Sequence, residues 1–148
     1  MEYFRQAHAV YHTKYHLVWI PRYRRKILTH GIADYLTVIL QCIKEWHPDI
    51  VLHECAIQPD HVHILVSIPP RMSVSDGVCV IKTNTSAALR KKFPFLSKLY
   101  PRKEGVWSTG YFVSTVGINE AIIARYIKMQ EREDCGQAKL VFKKKPRA

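Results

Sequence analysis

The sequence predicts an α+β domain in the ferredoxin-like (RRM-like) split order β-α-β-β-α-β: an antiparallel sheet with its two main helices on one face, plus a further C-terminal helix. Three observations carry this. Runs rich in aromatic and β-branched residues at 11–20, 50–57, 61–68 and 110–116 alternate with helical stretches at 31–47 and 73–93. The second and third runs are separated only by Gln58-Pro59-Asp60, a connection short enough to make them an antiparallel hairpin. With 148 residues and 47% hydrophobic content, the chain is the size of one domain, 1–148, with a sizeable core.

Residues 11–20 (YHTKYHLVWI) form the first predicted strand; Pro21 ends it and Arg22-Tyr23-Arg24-Arg25-Lys26 follows as a basic turn. Over 31–47, Ile32, Tyr35, Leu36, Ile39, Leu40 and Ile43 recur at helical spacing, and Pro48-Asp49 closes that helix. Strands at 50–57 and 61–68 come next, until Pro69-Pro70 breaks the chain. Ser73 can cap the second helix, Asp76 favours its N-terminus, and Pro94 stops it after Phe93. Residues 94–109 read as a loop before the strand at 110–116. Asn119 caps a last helix that carries Ile122, Ile123, Tyr126 and Ile127 and ends before Gly136. The folded core is expected over roughly 11–134, followed by a basic tail, 136–148.

A formal net charge of +11 points to a polyanionic partner, nucleic acid first and an anionic membrane surface second. No apolar stretch approaches the ~20 residues of a membrane span. The opening MEYFRQ lacks the apolar run of a secretory signal, so the expected location is cytoplasmic. Cys42, Cys55, Cys79 and Cys135 lie far apart without a Cys-x-x-Cys pair, which argues against a structural zinc knuckle. They are expected to be reduced and mostly buried.

The chemistry-bearing stretch is His61-Val62-His63 in the run PDHVHILVSI. Residues two apart on a strand share a face, so the imidazoles lie together while Val62, Ile64, Val66 and Ile68 line the other side. The apolar side belongs under the helices. His61 and His63 then fall on the open face, available to a metal ion, although two solvent-facing histidines at a strand entrance fit the same spacing. A third ligand and a reactive group are needed. Tyr126 and Gln130, at i and i+4 on the last helix, are candidates; by spacing alone they are equally a core aromatic and its solvated neighbour.

Further segments occur in order along the chain: 15–25 (YHLVWIPRYRR), 60–66 (DHVHILV), 68–70 (IPP), 72–75 (MSVS), 107–113 (WSTGYFV), 115–117 (TVG) and Tyr126-Ile127-x-x-Gln130. In these the chain resembles the single-domain tyrosine transposases of insertion sequences, members of the HUH endonuclease superfamily, over about residues 13–130. The resemblance implies that His61, His63 and Gln130 are metal ligands and Tyr126 the nucleophile. It further implies a divalent cofactor (Mg²⁺ or Mn²⁺), and single-stranded DNA with hairpins at element ends as substrate. Cleavage through a 5′-phosphotyrosine and a homodimer with active sites shared between subunits are implied as well. Arg22, Arg24, Arg25 and Lys82 are candidate phosphate contacts, and Trp19 or Tyr23 candidate stacking partners for bases. Gly117 is a candidate pivot for the last helix. Rival readings are a domesticated relative associated with repetitive palindromes, a non-catalytic nucleic-acid-binding module, and a Zn²⁺ hydrolase drawing on Glu54 or Asp60.

Overall fold

Alternation along β5 (His61–Ser67) organises the structure. Val62, Ile64 and Val66 are fully buried, while His61, His63 and Leu65 between them are half-exposed. The computed structural model of the chain describes residues 3–6, 9–101 and 105–136. In it β5 is central, flanked by β3 (Lys14–Trp19) and β4 (Val51–Gln58), and β6 (Phe112–Ser114) lies beyond β3, all antiparallel. The order β4-β5-β3-β6 is the split β-α-β-β-α-β arrangement. Tyr15, Leu17 and Trp19 stand opposite Val66, Ile64 and Val62, so the two central strands present one continuous apolar face. Against it pack α1 (His30–Gln41), through Ile32, Leu36 and Leu40, and α3 (Val74–Lys92), through Val78, Ile81 and Leu89. Each such side chain fully buried contributes roughly 1.5–3 kcal/mol. Ser73 caps α3, its hydroxyl accepting from the Asp76 N–H at 3.0 Å.

Four expectations are corrected. The first strand begins at Lys14, because its partner β5 ends at Ser67 and Pro69-Pro70 cannot extend the ladder. The preceding residues form a separate hairpin, β1 (Phe4–Gln6) with β2 (Ala9–Tyr11). The first helix stops at Gln41 and a short α2 (Ile43–Trp46) follows, since the Cys42 N–H bonds the Ile39 carbonyl three residues back and tightens the turn. Within the presumed loop at 94–109 lies α4 (Phe95–Leu99), too short to show periodicity, which buries Leu96 and is followed by buried Tyr100. Cys42 and Cys55 are half-buried, but Cys79, on α3, and Cys135, just past the last helix, are exposed.

The second face of the sheet is not left open. Helix α5 (Glu120–Asp134), capped by Asn119 Oδ1 accepting from the Ile122 N–H at 2.9 Å, lies across it. Tyr126 and Ile127 bury against Val18 and Ile20, with Phe112, Ile118 and Ile123 around them. Residues 137–148, most of the expected basic tail, lie outside the described residues. Among the described residues no helix is long and apolar enough to cross a membrane.

The segment entering β6 is fastened to α3 by a buried hydrogen bond. Trp107 Nε1 donates to Thr85 Oγ1 at 2.9 Å, and the same hydroxyl donates to the Ile81 carbonyl at 2.8 Å. Thr85→Val leaves the indole N–H unpaired and is expected to lower the unfolding free energy by about 1–3 kcal/mol in urea titrations. Thr85→Ser, which keeps the hydroxyl, is expected to lose less.

Candidate active site

His61 and His63 stand at the start of β5, opposite Gln58 and Ala56 on β4, and His63 also faces Val18 on β3. Each ring has a partner. Asp60 Oδ1 lies 2.9 Å from His61 Nδ1, and the other carboxylate oxygen takes the Arg24 Nε–H at 3.0 Å. Arg24 reaches on to Glu131 of α5, with Nη1–Oε1 at 3.4 Å. His63 Nε2 lies 3.1 Å from Nδ1 of His16, which projects from β3 on the same side. Burial, reinforced by the His16 and His61 neighbours, pulls the His63 pKa below its ordinary value, so the ring is held neutral. Burial would raise the Asp60 carboxyl, but the hydrogen bonds with His61 and Arg24 outweigh it and keep the group ionised.

The two imidazoles line a cleft of about 730 Å³ whose other wall is α5, contributed by Ile123 and Ile127, with Arg24 and Asp60 at its side. Tyr126 and Gln130 do not line it. At 100° per residue their direction on the helix lies roughly a quarter turn from that of Ile123, Ala124 and Ile127. Tyr126 instead packs against Phe112, ring centroids 5.9 Å apart, and its buried hydroxyl has no hydrogen-bond partner among the described residues. Burial pushes that phenol well above its ordinary pKa, with Asp134 and Glu133 adding to the shift. Gln130, 2% exposed, donates from Nε2 to Asp134 Oδ1 at 3.2 Å. Its amide fits against Gly110, where a Cβ would come within 2.3 Å of Oε1. The structure therefore brings His61 and His63 together and keeps Tyr126 and Gln130 on an adjacent face of the facing helix. Among the described residues no three His, Cys, Asp or Glu side chains are grouped to hold a metal ion.

The basic residues are tied inward. Tyr23 and Arg24 both adopt positive φ (62° and 54°), an uncommon conformation for side-chain-bearing residues. The turn is fastened by the Tyr23 N–H donating to Asp134 Oδ2 at 3.0 Å and by the Arg24 ion pairs. Arg25 donates to the Leu99 carbonyl at 2.7 Å and stacks over Tyr23 and Tyr100. Arg22 buries its Nε with no hydrogen-bond partner among the described residues. Lys82 donates to the carbonyls of Ser108 (2.5 Å) and Gly110 (3.0 Å). Trp19, expected as a stacking surface, is fully buried against Trp107, edge to face at 5.8 Å; this corrects the expectation, because an indole inside the core cannot meet a base. At Gly117 a Cβ would meet nothing within 4 Å, so packing does not require glycine there.

Sequence reasoning passed over His16 and Asp134. Asp134 was signalled by its position four residues after Gln130, one helical turn on. His16 needed the strand register. Asp134 gathers three donors, the Tyr23 N–H, the Gln130 amide and the Ser108 hydroxyl, the last at 2.6 Å.

Residues 9–130 match the protein family described as "Transposase IS200 like". The chain is 40% identical over 129 residues to the transposase for insertion sequence element IS200 of Salmonella typhimurium, covering 86% of this chain and 83% of that protein. It is 33% identical over 129 residues to the ISDra2 transposase TnpA of Deinococcus radiodurans, covering 84% and 89%. Among solved structures, a candidate transposase of Deinococcus radiodurans R1 superposes with TM-score 0.73 at 28% identity, over 86% of this chain and 97% of that one. A REP-associated tyrosine transposase bound to a REP hairpin shares the fold, with TM-score 0.51 at 15% identity over 94% and 77%.

Burial, with Arg22 nearby, depresses the Lys82 pKa from 10.5 to about 8. Between those values the unfolded chain holds a proton that the folded one has released, so this group makes stability rise with pH and its contribution is lost as pH falls through about 8. The unfolding free energy of the wild type minus that of Lys82→Met is expected to rise between pH 8 and 10, by at most about 3 kcal/mol. Urea midpoints across that range check it.

Proposed function

The chain belongs to the IS200-like transposase family, and from that premise we propose that it cuts and rejoins single-stranded DNA at the ends of an insertion sequence through a covalent tyrosine link. The observation that carries this is the His61–His63 pair on one wall of a cleft whose other wall is the helix bearing Tyr126 and Gln130. His61, His63 and Gln130 would hold a divalent metal ion, Mg²⁺ or Mn²⁺. The donor set fits in kind: two imidazoles with one nitrogen of each already engaged, and a neutral amide that leaves the ion its full charge. A bound ion would polarise the scissile phosphodiester and offset charge on its oxygens.

Tyr126 is the nucleophile of this reading. Its phenol oxygen forms a bond to phosphorus and gives up its proton to solvent, the P–O3′ bond breaks, and the departing 3′ oxygen takes a proton from solvent. A 5′-phosphotyrosine and a free 3′-OH result. A 3′-OH later attacks the same phosphorus, the P–O bond to Tyr126 breaks and the phenol regains a proton, and a phosphodiester is restored, so no external energy source is needed. Asp60 orients His61, and Arg24, at the edge of the cleft, is placed to meet a backbone phosphate. Arg22, Arg25 and Lys82, the other proposed phosphate contacts, do not line this cleft; Lys82 instead holds the segment at 108–110. Hairpins at the element ends are the proposed recognition feature, in keeping with the REP hairpin bound by the related fold.

Docked as it is, Tyr126 is sequestered and Gln130 is tied to Asp134. We therefore assign the working site to two chains. In a homodimer, α5 swings on the link at 115–119, exposed except at Ile118, and delivers Tyr126 and Gln130 to the partner's histidines.

The test mixes protein, Mg²⁺ and single-stranded element-end DNA and looks for an adduct on a denaturing gel. Tyr126→Phe and His61→Ala are each expected to abolish it. Mixing the two variants, one carrying a size tag, is expected to restore an adduct, and only on the His61→Ala chain. No restoration would place each tyrosine with its own histidines. An adduct persisting in Tyr126→Phe alone would remove Tyr126 as nucleophile.

A further inference from the structure

His16 has no part in the function proposed above, yet it is the residue in contact with His63. It stands opposite Leu65 in the β3–β5 ladder, which sets it diagonally beside His63 on the cleft side of the sheet. The rings lie 5.3 Å apart at 48°, and His16 Nδ1 is 3.1 Å from His63 Nε2. In a hydrogen bond between these two ring nitrogens one carries the proton and the other accepts it. If His16 donates, the lone pair of His63 Nε2 is used and the remaining proton of His63 sits on Nδ1, leaving His63 no nitrogen for a metal. If His63 donates, its Nδ1 carries a free lone pair. The second arrangement alone is compatible with ligation.

We propose that His16 is a positioning residue for the metal centre, its Nδ1 accepting the Nε2–H of His63 and so fixing Nδ1 as the donor atom of that ligand. The inference rests on the reading of His61 and His63 as metal ligands. It makes the two histidines parallel in logic and opposite in nitrogen. Asp60 engages His61 at Nδ1 and leaves Nε2; His16 engages His63 at Nε2 and leaves Nδ1. Removal of such a supporting partner typically weakens metal binding about 10–100-fold.

Mn²⁺ titration of the full-length chain, read by electron paramagnetic resonance, tests this with His16→Asn, His16→Gln and His16→Leu, thermal melts confirming the fold. The Asn carboxamide oxygen occupies about the place of imidazole Nδ1, whereas that of Gln lies one bond farther. His16→Asn is therefore expected to bind within about threefold of the wild type, and His16→Gln and His16→Leu about 10–100-fold more weakly. Equal binding by the Asn and Gln variants, or wild-type binding by a folded Leu variant, would overturn the assignment. A pulsed measurement that counts a third coordinated imidazole nitrogen, lost in His16→Asn, would make His16 a ligand and overturn it too. Wild-type Mn²⁺ binding by both His61→Ala and His63→Ala would instead remove the underlying metal site, a failure separable from that of His16.

Discussion

The pairing of β3 with β5 is the constraint on which the rest of the molecule depends. Side chains alternate with period two, so a slip of one residue would send every side chain of a strand to the opposite face. With Leu17 opposite Ile64 and Val18 opposite His63, the register is fixed from both sides at once. One face gathers Val62, Ile64, Val66, Leu17 and Trp19 under α1 and α3. The other gathers His16, His63 and Val18 toward α5. The histidines are held in place because the strand that carries them is anchored in the main core.

Helix α5 is attached more lightly. Its apolar contact is a small cluster, Tyr126 and Ile127 on Val18 and Ile20, set apart from the main core. Of its polar contacts, the Glu131–Arg24 ion pair is half-exposed and worth correspondingly less, while Asp134 bonds the Tyr23 N–H and the hydroxyl of buried Ser108. The docked position also carries a penalty, since a buried hydroxyl without a partner costs about 1–3 kcal/mol and the Tyr126 hydroxyl is in that condition. An element with few buried contacts and an unsatisfied polar group belongs to the low-stability end of a fold, from which moving parts are drawn.

The basic turn between these parts couples them. Arg24 bridges Asp60, which orients His61, to Glu131 on α5, so a phosphate approaching Arg24 competes with the contact that holds the helix. Part of the excess positive charge thus has an internal use. Lys82 and Arg25 brace carbonyls of neighbouring segments, and the backbone at Tyr23 and Arg24 is held at positive φ by the same network.

Much of this was legible in the chain. The hairpin around Pro59-Asp60, the apolar stripe of β5 and the Ser73 and Asn119 caps follow from local rules of alternation, turn length and capping, and the succession of elements along the chain names the split motif. The pairing of His61 with His63 on one face follows from the same alternation. What those rules do not reach is contact between distant segments. The burial of Trp19 was hidden because an aromatic on a strand reads alike on either face until its register with β5 and its contact with Trp107 are known. The break at Cys42 and the five residues of α4 are too short to alter a periodic pattern. By itself the sequence determined which side chains are available for chemistry and that His61 and His63 share a face, because strand geometry is local. Only the tertiary structure decided that His16 meets His63, that Asp134 gathers Ser108 and the basic turn, and that Tyr126 is packed away from the cleft, because each depends on where α5 and β3 come to rest against residues far away along the chain.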